Sequence, residues 1–580
     1  MSGITRHERV ASPSKVSAWL ACGHYLNLRH QVDDGTLDPP DAGFSAFAQL
    51  LVDKGLQHEE ECLRWYENEG LSVHRVPDRD TGETFAQWVE RIGNPMEDGH
   101  DVVFQMPFVH DGMRGVADFL VRTISEDGVT VAYEPVDSKL TRHHASPGHV
   151  LQLCFYAEAV GALTGVTPES GRLFLGSGEF ETIRFSEVDA YWRRLRRQLS
   201  SALSATPDGG TTPERCDHCE FCEFAGHCEA QWRADDSLVY VSGVRAVDRK
   251  ALEEADVETM ADLATAAGGS VPDMTDARFA VLTEQARLQV EARSHSDQVP
   301  PFVVLEPDET DPAGLVSLPE PDKGDVFLDF EGHPFWTPAR GLFFLFGFLR
   351  KERLDRWGYE TRWAHDSATE AAATRDLIDY LYKRHQRHPG MHVYHYNHTE
   401  RSELERLVEE HGLGDRKLAG LIAAGVFVDL LVTVRHSIRA GIESYSLKNV
   451  EKLAGFTRSA GIEKGAGAVL EYEAWMDDQS PDRLAQIAAY NEDDVAATKA
   501  VRDWLVGLRT DDLDWPGTGL ESEDAGSDEF DVGQDELLGY PEDSPERLLG
   551  HLLDYWWREY RVHLARRIAR LQAPLSDLME

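Results

Sequence analysis

The sequence predicts an α/β multidomain protein, and three observations carry that reading. Apolar and polar residues alternate at strand period around Asp111-Gly112 in VVFQMPFVHDGMRGVADFLVRT, and a helical run, PGHVLQLCFYAEAVGAL, follows further on. The middle of the chain mixes the same element types. It has a strand in GDVFLDFEGHPFW, a strand then a helix in MHVYHYNHTERSELERLVEEHG, and a helix of about seven turns in PDRLAQIAAYNEDDVAATKAVRDWLVGL. Composition breaks separate these blocks. They divide the 580 residues into 1–235, a helical stretch 236–300, a Pro- and acid-rich linker 301–324, a block 325–508, a strongly acidic linker 509–545, and a helical tail 546–580. No internal repeats are visible.

The net charge is −44, from 58 basic and 102 acidic residues, and only twelve of the basic residues are Lys. Such a surface suits a salt-rich cytoplasm and a halophilic host. It would repel nucleic acid at low salt unless basic residues line a local channel. No run of 18 or more apolar residues occurs and no signal peptide opens the chain, so the expectation is a soluble, cytoplasmic protein away from membranes. No G-x-x-x-x-G-K-[ST] sequence is present to suggest an ATP motor.

In the first block, Asp111-Gly112 reads as a hairpin turn. A second turn at Glu126-Asp127-Gly128 leads into VTVAYEPVDSKL, which makes a three-strand meander. Asp137 and Lys139 are two apart on the third strand and therefore share a face. Asp118 lies inside the apolar run VADFLV, where a carboxylate is costly unless paired or metal-bound. Gln152 and Tyr156 are four apart on the following helix. Upstream, FSAFAQLLVDKGLQHEEECLRWYENEG reads as a helix carrying His58. Two carboxylates and a lysine on adjacent strands can hold a divalent metal and activate water for phosphodiester attack.

Four of the seven cysteines are packed into CDHCEFCEFAGHC, with the spacing Cys216-x2-Cys219-x2-Cys222-x5-Cys228. Thiolates at such intervals bind zinc or an iron–sulfur cluster. A disulfide framework fits badly, because the other three cysteines are scattered. Cys62 and Cys154 read as small apolar helix residues.

The order His58, Gly115-x-x-Asp118, Asp137-x-Lys139, Gln152-x3-Tyr156 resembles the RecB-type nucleases of the PD-(D/E)XK superfamily, which implies a restriction-endonuclease-like fold. The resemblance assigns metal binding to His58, Asp118 and Asp137, and catalysis to Lys139, Gln152 and Tyr156. Iron–sulfur members of that family, among them CRISPR-associated and AddB-type exonucleases, place one Cys before the nuclease core and C-x2-C-x5-C after it. By that resemblance Cys22, Cys219, Cys222 and Cys228 would hold a 4Fe-4S cluster of structural role. Cys216 is left over and keeps open a local zinc set of Cys216, Cys219, Cys222 and Cys228.

In the block 325–508, Asp329 and Glu331 share one face of a strand, and burying two like charges calls for a metal. Glu400 falls near a strand–helix junction. Tyr490 and Asp494 share a helix face, whereas Glu492 and Asp493 are expected to be solvated charges and Asp429 a structural residue at a strand end. The block resembles the DEDD 3′–5′ exonucleases of the RNase H-like fold, most closely the YprB-type branch, in Asp329-x-Glu331, Tyr490-x3-Asp494, VDLLVTVRHSI and YSLKNVEKLAGF. The second motif departs from the commoner form, with Glu400 three after Asn397 and Arg at 401. The resemblance implies that Asp329, Glu331, Glu400 and Asp494 hold two Mg2+ or Mn2+ ions and that Tyr490 orients the attacking water.

Two smaller pieces remain. LVYVSGVRAVDRKALEEADVETMADLATAAG resembles a helix–hairpin–helix segment whose loop at Gly243 would offer backbone N–H groups to phosphate, and it reads equally well as a helical spacer. The tail SPERLLGHLLDYWWREYRVHLARRIARLQ reads as an amphipathic helix with Trp556, Trp557 and Tyr560. Larger relatives of this architecture continue into a superfamily 1 helicase, which implies a helicase partner in trans. The expected function is a two-site, metal-dependent nuclease acting on single-stranded DNA or DNA ends in repair, recombination or defence. An RNA-processing exonuclease, a DNA-end-binding module with degenerate sites, and a zinc-bound scaffold are the alternatives.

Overall fold

Six strands pair in the order in which they occur: β1 (Val73–Arg75), β2 (Val102–His110), β3 (Met113–Ile124), β4 (Val131–Lys139), β5 (Ser170–Leu175) and β6 (Phe180–Arg184). The computed structural model describes residues 10–553 apart from 41–45, 125–129, 206–209, 267–270, 295–298, 307–312, 353–355, 414–415, 460–464, 512, 517–536, 538–539 and 542–543. The chain divides into two units, Met1–Asp514 and Trp515–Glu580. Asp111 and Gly112 both take positive φ, 43° and 73°, the geometry that joins two twisted strands through a two-residue turn. The antiparallel β2–β3–β4 meander follows. The turn expected at Glu126-Asp127-Gly128 lies outside the described residues.

β4 and β5 are parallel and need a crossover, which the helix Pro147–Thr164 provides. Its ends are written locally. Ser146 caps the first turn, Pro147 sits where no N–H is needed, and Gly165 at φ 79° stops the helix. The helix Ala46–Asn68 lies on the sheet and buries Cys62, Leu63 and Tyr66. Cys62 and Cys154 are both buried in apolar clusters, as their helix positions suggest.

A short strand, β7 (Phe302–Val304), precedes the second sheet, which comprises β8 (Val326–His333), β9 (Leu342–Lys351), β10 (Trp357–Trp363), β11 (Val393–His395) and β12 (Phe427–Asp429). The spatial order is β10-β9-β8-β11-β12. β8 has antiparallel β9 on one side and parallel β11 on the other. The stretch 301–324, expected as a linker, is partly structured. β7 pairs antiparallel with β13 (Ile438–Ala440), and Leu315 and Leu318 are buried in the second domain's core. Its Pro and acid content hides a short apolar run, FVV, that can complete a two-stranded ribbon.

The stretch 236–300 is helical, with Ala246–Glu253, Met260–Thr265 and Asp276–Arg293. Gly243 turns at φ 77°, and its carbonyl accepts from Arg278 at 2.6 Å. Gln285, buried on the last of these helices, donates to the Ala440 carbonyl of β13 at 2.7 Å. In the second unit the helix Pro545–Leu553 is described, while Trp556, Trp557 and Tyr560 lie outside the described residues. Among the described residues no helix is long and apolar enough to cross a membrane.

The foot of the second sheet rests on a buried ion pair. Arg502 donates to the fully buried Asp325 at 2.6 Å, and its guanidinium lies 4.9 Å and 4.8 Å from the ring centres of Phe327 and Tyr394. Breaking such a pair strands a buried charge, at about 3–5 kcal/mol. Arg502→Met is expected to lower the urea midpoint accordingly. Combining it with Asp325→Leu should recover much of the loss, because the stranded charge is then gone. A single variant as stable as the wild type would show that the pair contributes nothing.

Candidate active sites and cysteine cluster

The second sheet builds its site where two strands part. β11 pairs with β8 only at Val393↔Val326 and Tyr394↔Phe327, so Asp329 and Glu331 lie beyond the last paired residue. Open α/β sheets bind ligands in such crevices. Asp494, from the helix Pro481–Leu508, completes a cluster in which one oxygen of each of Asp329, Glu331 and Asp494 lies within 4.8 Å of the others. Glu400 enters from the first turn of the helix Thr399–Glu410. It is buried, its Oε2 lies 3.4 Å from His395 Nδ1, and that oxygen has no hydrogen-bond partner. Asp429 accepts the N–H groups of Asn397 and Leu431, each at 2.9 Å, and so fixes the loop that delivers Glu400.

Electrostatics at this cluster run against four bare carboxylates. Burial, then the charges of Asp494, Glu331 and Glu400, hold the Asp329 carboxyl well above the ordinary range. Burial and Asp494 push Glu331 up to about 8. Asp494 is raised by burial although Arg458 opposes the shift.

Further residues support the cluster without having been singled out for it from sequence. Asn491 Nδ2 donates to Asp329 Oδ2 at 2.7 Å. A Cβ on Gly347, which faces Asp329 across the sheet, would meet Asn491 Oδ1 at 1.6 Å, so only glycine admits that amide. Arg458 grips Glu451 through two 2.8 Å bonds and reaches Asp494 Oδ1 at 2.7 Å. Lys448 Nζ and the Arg458 guanidinium lie 5.2 Å and 5.7 Å from the Tyr490 ring centre. Asp493, expected as a solvated charge, is instead buried, and it accepts the backbone N–H of Ser459 at 2.8 Å and its hydroxyl at 3.0 Å. It thereby anchors the loop that carries Arg458. Glu492 is exposed, as expected.

The first sheet gathers a second set. Lys139 Nζ lies 2.5 Å from Asp137 Oδ2, and Gln152 donates to Asp137 Oδ1 at 2.9 Å. Asp118 accepts the Ser138 N–H at 2.9 Å from the neighbouring strand. Burial and then Asp137 hold Asp118 well above the ordinary carboxylate range. For Lys139, burial works against the charge, but Asp137 and Asp118 outweigh it and the ammonium is stabilised. Tyr156 spends its hydroxyl on the Val116 carbonyl at 2.5 Å, and a Cβ at Gly115 would come 2.9 Å from that hydroxyl. A glycine at 115 is thus a packing requirement for Tyr156.

His58 stacks on Phe174, with ring centres 4.7 Å apart, and its nitrogens face the Phe174 carbonyl at 3.3 Å and Glu61 at 3.6 Å. Its neighbour Glu59 is the residue that the charges of Asp137 and Lys139 reach, and burial raises its carboxyl. Glu59 lies in an acidic run, HEEEC, that gave no reason to single it out.

Cys22, the C-cap of the helix Pro13–Ala21, lines one small cavity together with Cys216, Cys219, Cys222 and Cys228. His24 and His218 border the same cavity. Cys216 and Cys219 bring their sulfurs to 3.9 Å. Burial and the neighbouring Cys222 push the Cys228 thiol up to about 12. Five soft donors converging here fit a thiophilic metal or cluster, and the convergence includes both candidate ligand sets.

Glu331 keeps its proton up to about 8 in the fold, against 4.5 for an ordinary glutamate. The metal-free protein therefore loses stability as pH rises through that window. A divalent cation competes with the proton. Adding Mn2+ near pH 7 is expected to release protons, and to raise the melting temperature more at about pH 8 than at about pH 5. A pH-stat titration with no proton release would contradict the linkage.

Comparison with known families matches both sheet-bearing blocks of the chain. Residues 18–229 match the model of the PD-(D/E)XK nuclease superfamily, and residues 326–506 match that of the RNase H superfamily. No curated protein matches the chain. The first match spans β1 to β6 and the cysteines, and the second spans β8 to Asp494. The chain is a fusion of a PD-(D/E)XK nuclease superfamily domain with an RNase H superfamily domain.

Proposed function

We propose that the chain is a two-site, metal-dependent nuclease that degrades DNA from its ends, with a RecB-like first site and a YprB-type 3′–5′ exonuclease second site. The observation that carries the reading is the buried convergence of Asp329, Glu331 and Asp494, with Glu400 beside them. So many like charges have no benefit in a folded core without a cation to neutralise them. Hard carboxylate oxygens suit Mg2+ or Mn2+. Bound there, the cations would supply an activated water and neutralise charge at the scissile phosphate.

The chain's own residues do the remainder. Asn491 fixes Asp329, and Glu451 holds Arg458 so that its positive charge stays at the cluster's edge. Lys448 and Arg458 supply local positive charge in a protein of net charge −44, where a polyanion would otherwise be repelled. Tyr490 lies beneath those two cations, buried on the face that carries Asp494. In the first site Gln152 orients Asp137, and Asp137 together with Asp118 keeps Lys139 protonated as a fixed positive charge.

The cysteine pocket is read as a 4Fe-4S site using Cys22, Cys219, Cys222 and Cys228. Its support is the arrival of Cys22 from the start of the chain beside the cysteines of the 216–228 run, Cys219, Cys222 and Cys228 together with Cys216. Such a cluster would tie the two ends of the first domain together, closing a long loop of the unfolded chain.

Cleavage of end-labelled single-stranded DNA with Mn2+ tests the two-site reading. Asp137→Ala and Asp494→Ala should each remove a different product pattern by at least about 100-fold, since several kcal/mol of charge stabilisation are lost. If either change alone abolishes all cleavage, two independent sites are excluded. If the wild type binds DNA without cutting it, the chain is an end-binding module, and preference for labelled RNA in competition would redirect the reading to RNA.

Iron, acid-labile sulfide and zinc assays on anaerobically purified protein separate the ligand sets. Cys216→Ser should retain iron and sulfide, whereas Cys222→Ala should lose both and melt the first domain earlier. Zinc in the wild type, lost on Cys216→Ser, would establish the local set.

A further inference from the structure

The contacts that join the two domains are made beside both sites. Arg142, three residues after Lys139, donates to the Pro338 carbonyl at 3.1 Å and to that of Pro334, three residues after Glu331. Three residues span at most about 11 Å of chain, so each site is a short reach from the same joint. A second joint forms on another element. Lys54, one helical turn before His58, pairs with Glu473, whose carboxylate lies 3.4 Å from the buried His333. Glu473 belongs to the helix Gly465–Asp478, which packs against the helix of His58, the strand of Glu331 and the helix of Asp494. Just after β5, which pairs with β4, the backbones themselves meet. A Cβ on Gly176 would lie 2.6 Å from the Pro338 carbonyl and 2.7 Å from that of Leu140, so only glycine admits the approach.

We propose that the two sites share one substrate surface: a single DNA strand lies along the seam between the domains and reaches both carboxylate sets. The inference rests on the nuclease reading above. Positive charge marks the path. Lys139 stands at the first site, and Lys448 and Arg458 stand at the second. Arg142, at the joint, gives its N–H groups to carbonyls and forms no ion pair with a carboxylate among the described residues. A chain of net charge −44 repels a polyanion elsewhere, so a strand gains most where these cations gather. About ten nucleotides, at about 3.4 Å each, cover the two reaches and the joint between them.

The test uses full-length protein carrying both Asp137→Ala and Asp494→Ala, so that DNA is bound and not cut. Calorimetric titration compares a single-stranded hexanucleotide with a strand of about 24 nucleotides, long enough to cover both sites. Two hexanucleotides should bind per chain, one at each site, but only one longer strand. The longer strand should bind at least about 100-fold more tightly, because its second attachment is intramolecular. Adding Lys139→Ala or Lys448→Ala, one at each site, should in either case weaken the longer strand by about tenfold, the loss of one charged contact. Two longer strands per chain, a single hexanucleotide per chain, similar affinity for the two lengths, or no binding at all overturns the proposal. So does a longer strand weakened by only one of the two lysine changes, because it is then held at one site. If this stoichiometry holds while the wild type cuts no DNA, the nuclease reading falls and the shared surface stands, because the titration needs no cleavage.

Discussion

Burial of like charges is the constraint on which both domains depend. Each domain gathers acidic side chains where burial limits their screening by water, and the rest of the local structure limits the consequence. In the second domain Arg458, held by Glu451, counters Asp494, and Asn491 donates to Asp329. In the first, Lys139 pairs with Asp137, and a backbone N–H serves Asp118. Neither set is fully neutralised, as the raised carboxyls of Asp329, Glu331 and Asp118 show. A bound cation would compete with those protons, as proposed above.

Both sites lie close to the seam between the two domains. Arg142, three residues after Lys139, donates to the carbonyls of Pro334 and Pro338 and lies 5.5 Å from the Phe335 ring centre. Those residues follow Glu331 directly in sequence. Lys54, on the helix that carries Glu59, pairs with Glu473, whose carboxylate also lies 3.4 Å from the buried His333. These part-buried contacts tie the segment after β4 and the helix Ala46–Asn68 to the second domain.

Much was legible without coordinates. The hairpin at Asp111-Gly112, the shared faces of Asp137/Lys139 and Asp329/Glu331, and the helices of Gln152 and Asp494 follow from periods of 2 and 3.6 and from turn chemistry, which are local rules. The acids of the second site could be ordered along the chain because each sits at a fixed offset within its own element. Asp493 was misread for the same reason. Helical period alone separates it from Asp494 but does not reveal that the loop carrying Ser459 covers it. The FVV of β7 was hidden in a Pro- and acid-rich stretch because its partner, β13, lies more than a hundred residues away.

The sequence by itself determined the element types, the two acid sets and the presence of a thiol-rich site, since these rest on spacings of a few residues. Tertiary structure alone decided which groups meet. It brought Cys22 to the distant cysteines, set Arg458 against Asp494, turned His58 toward Phe174, and delivered Gln105 to Glu59. The physical reason is common to all four. A side chain's partner across a sheet or between helices depends on register, loop closure and packing over the whole domain, and no short window of sequence encodes them.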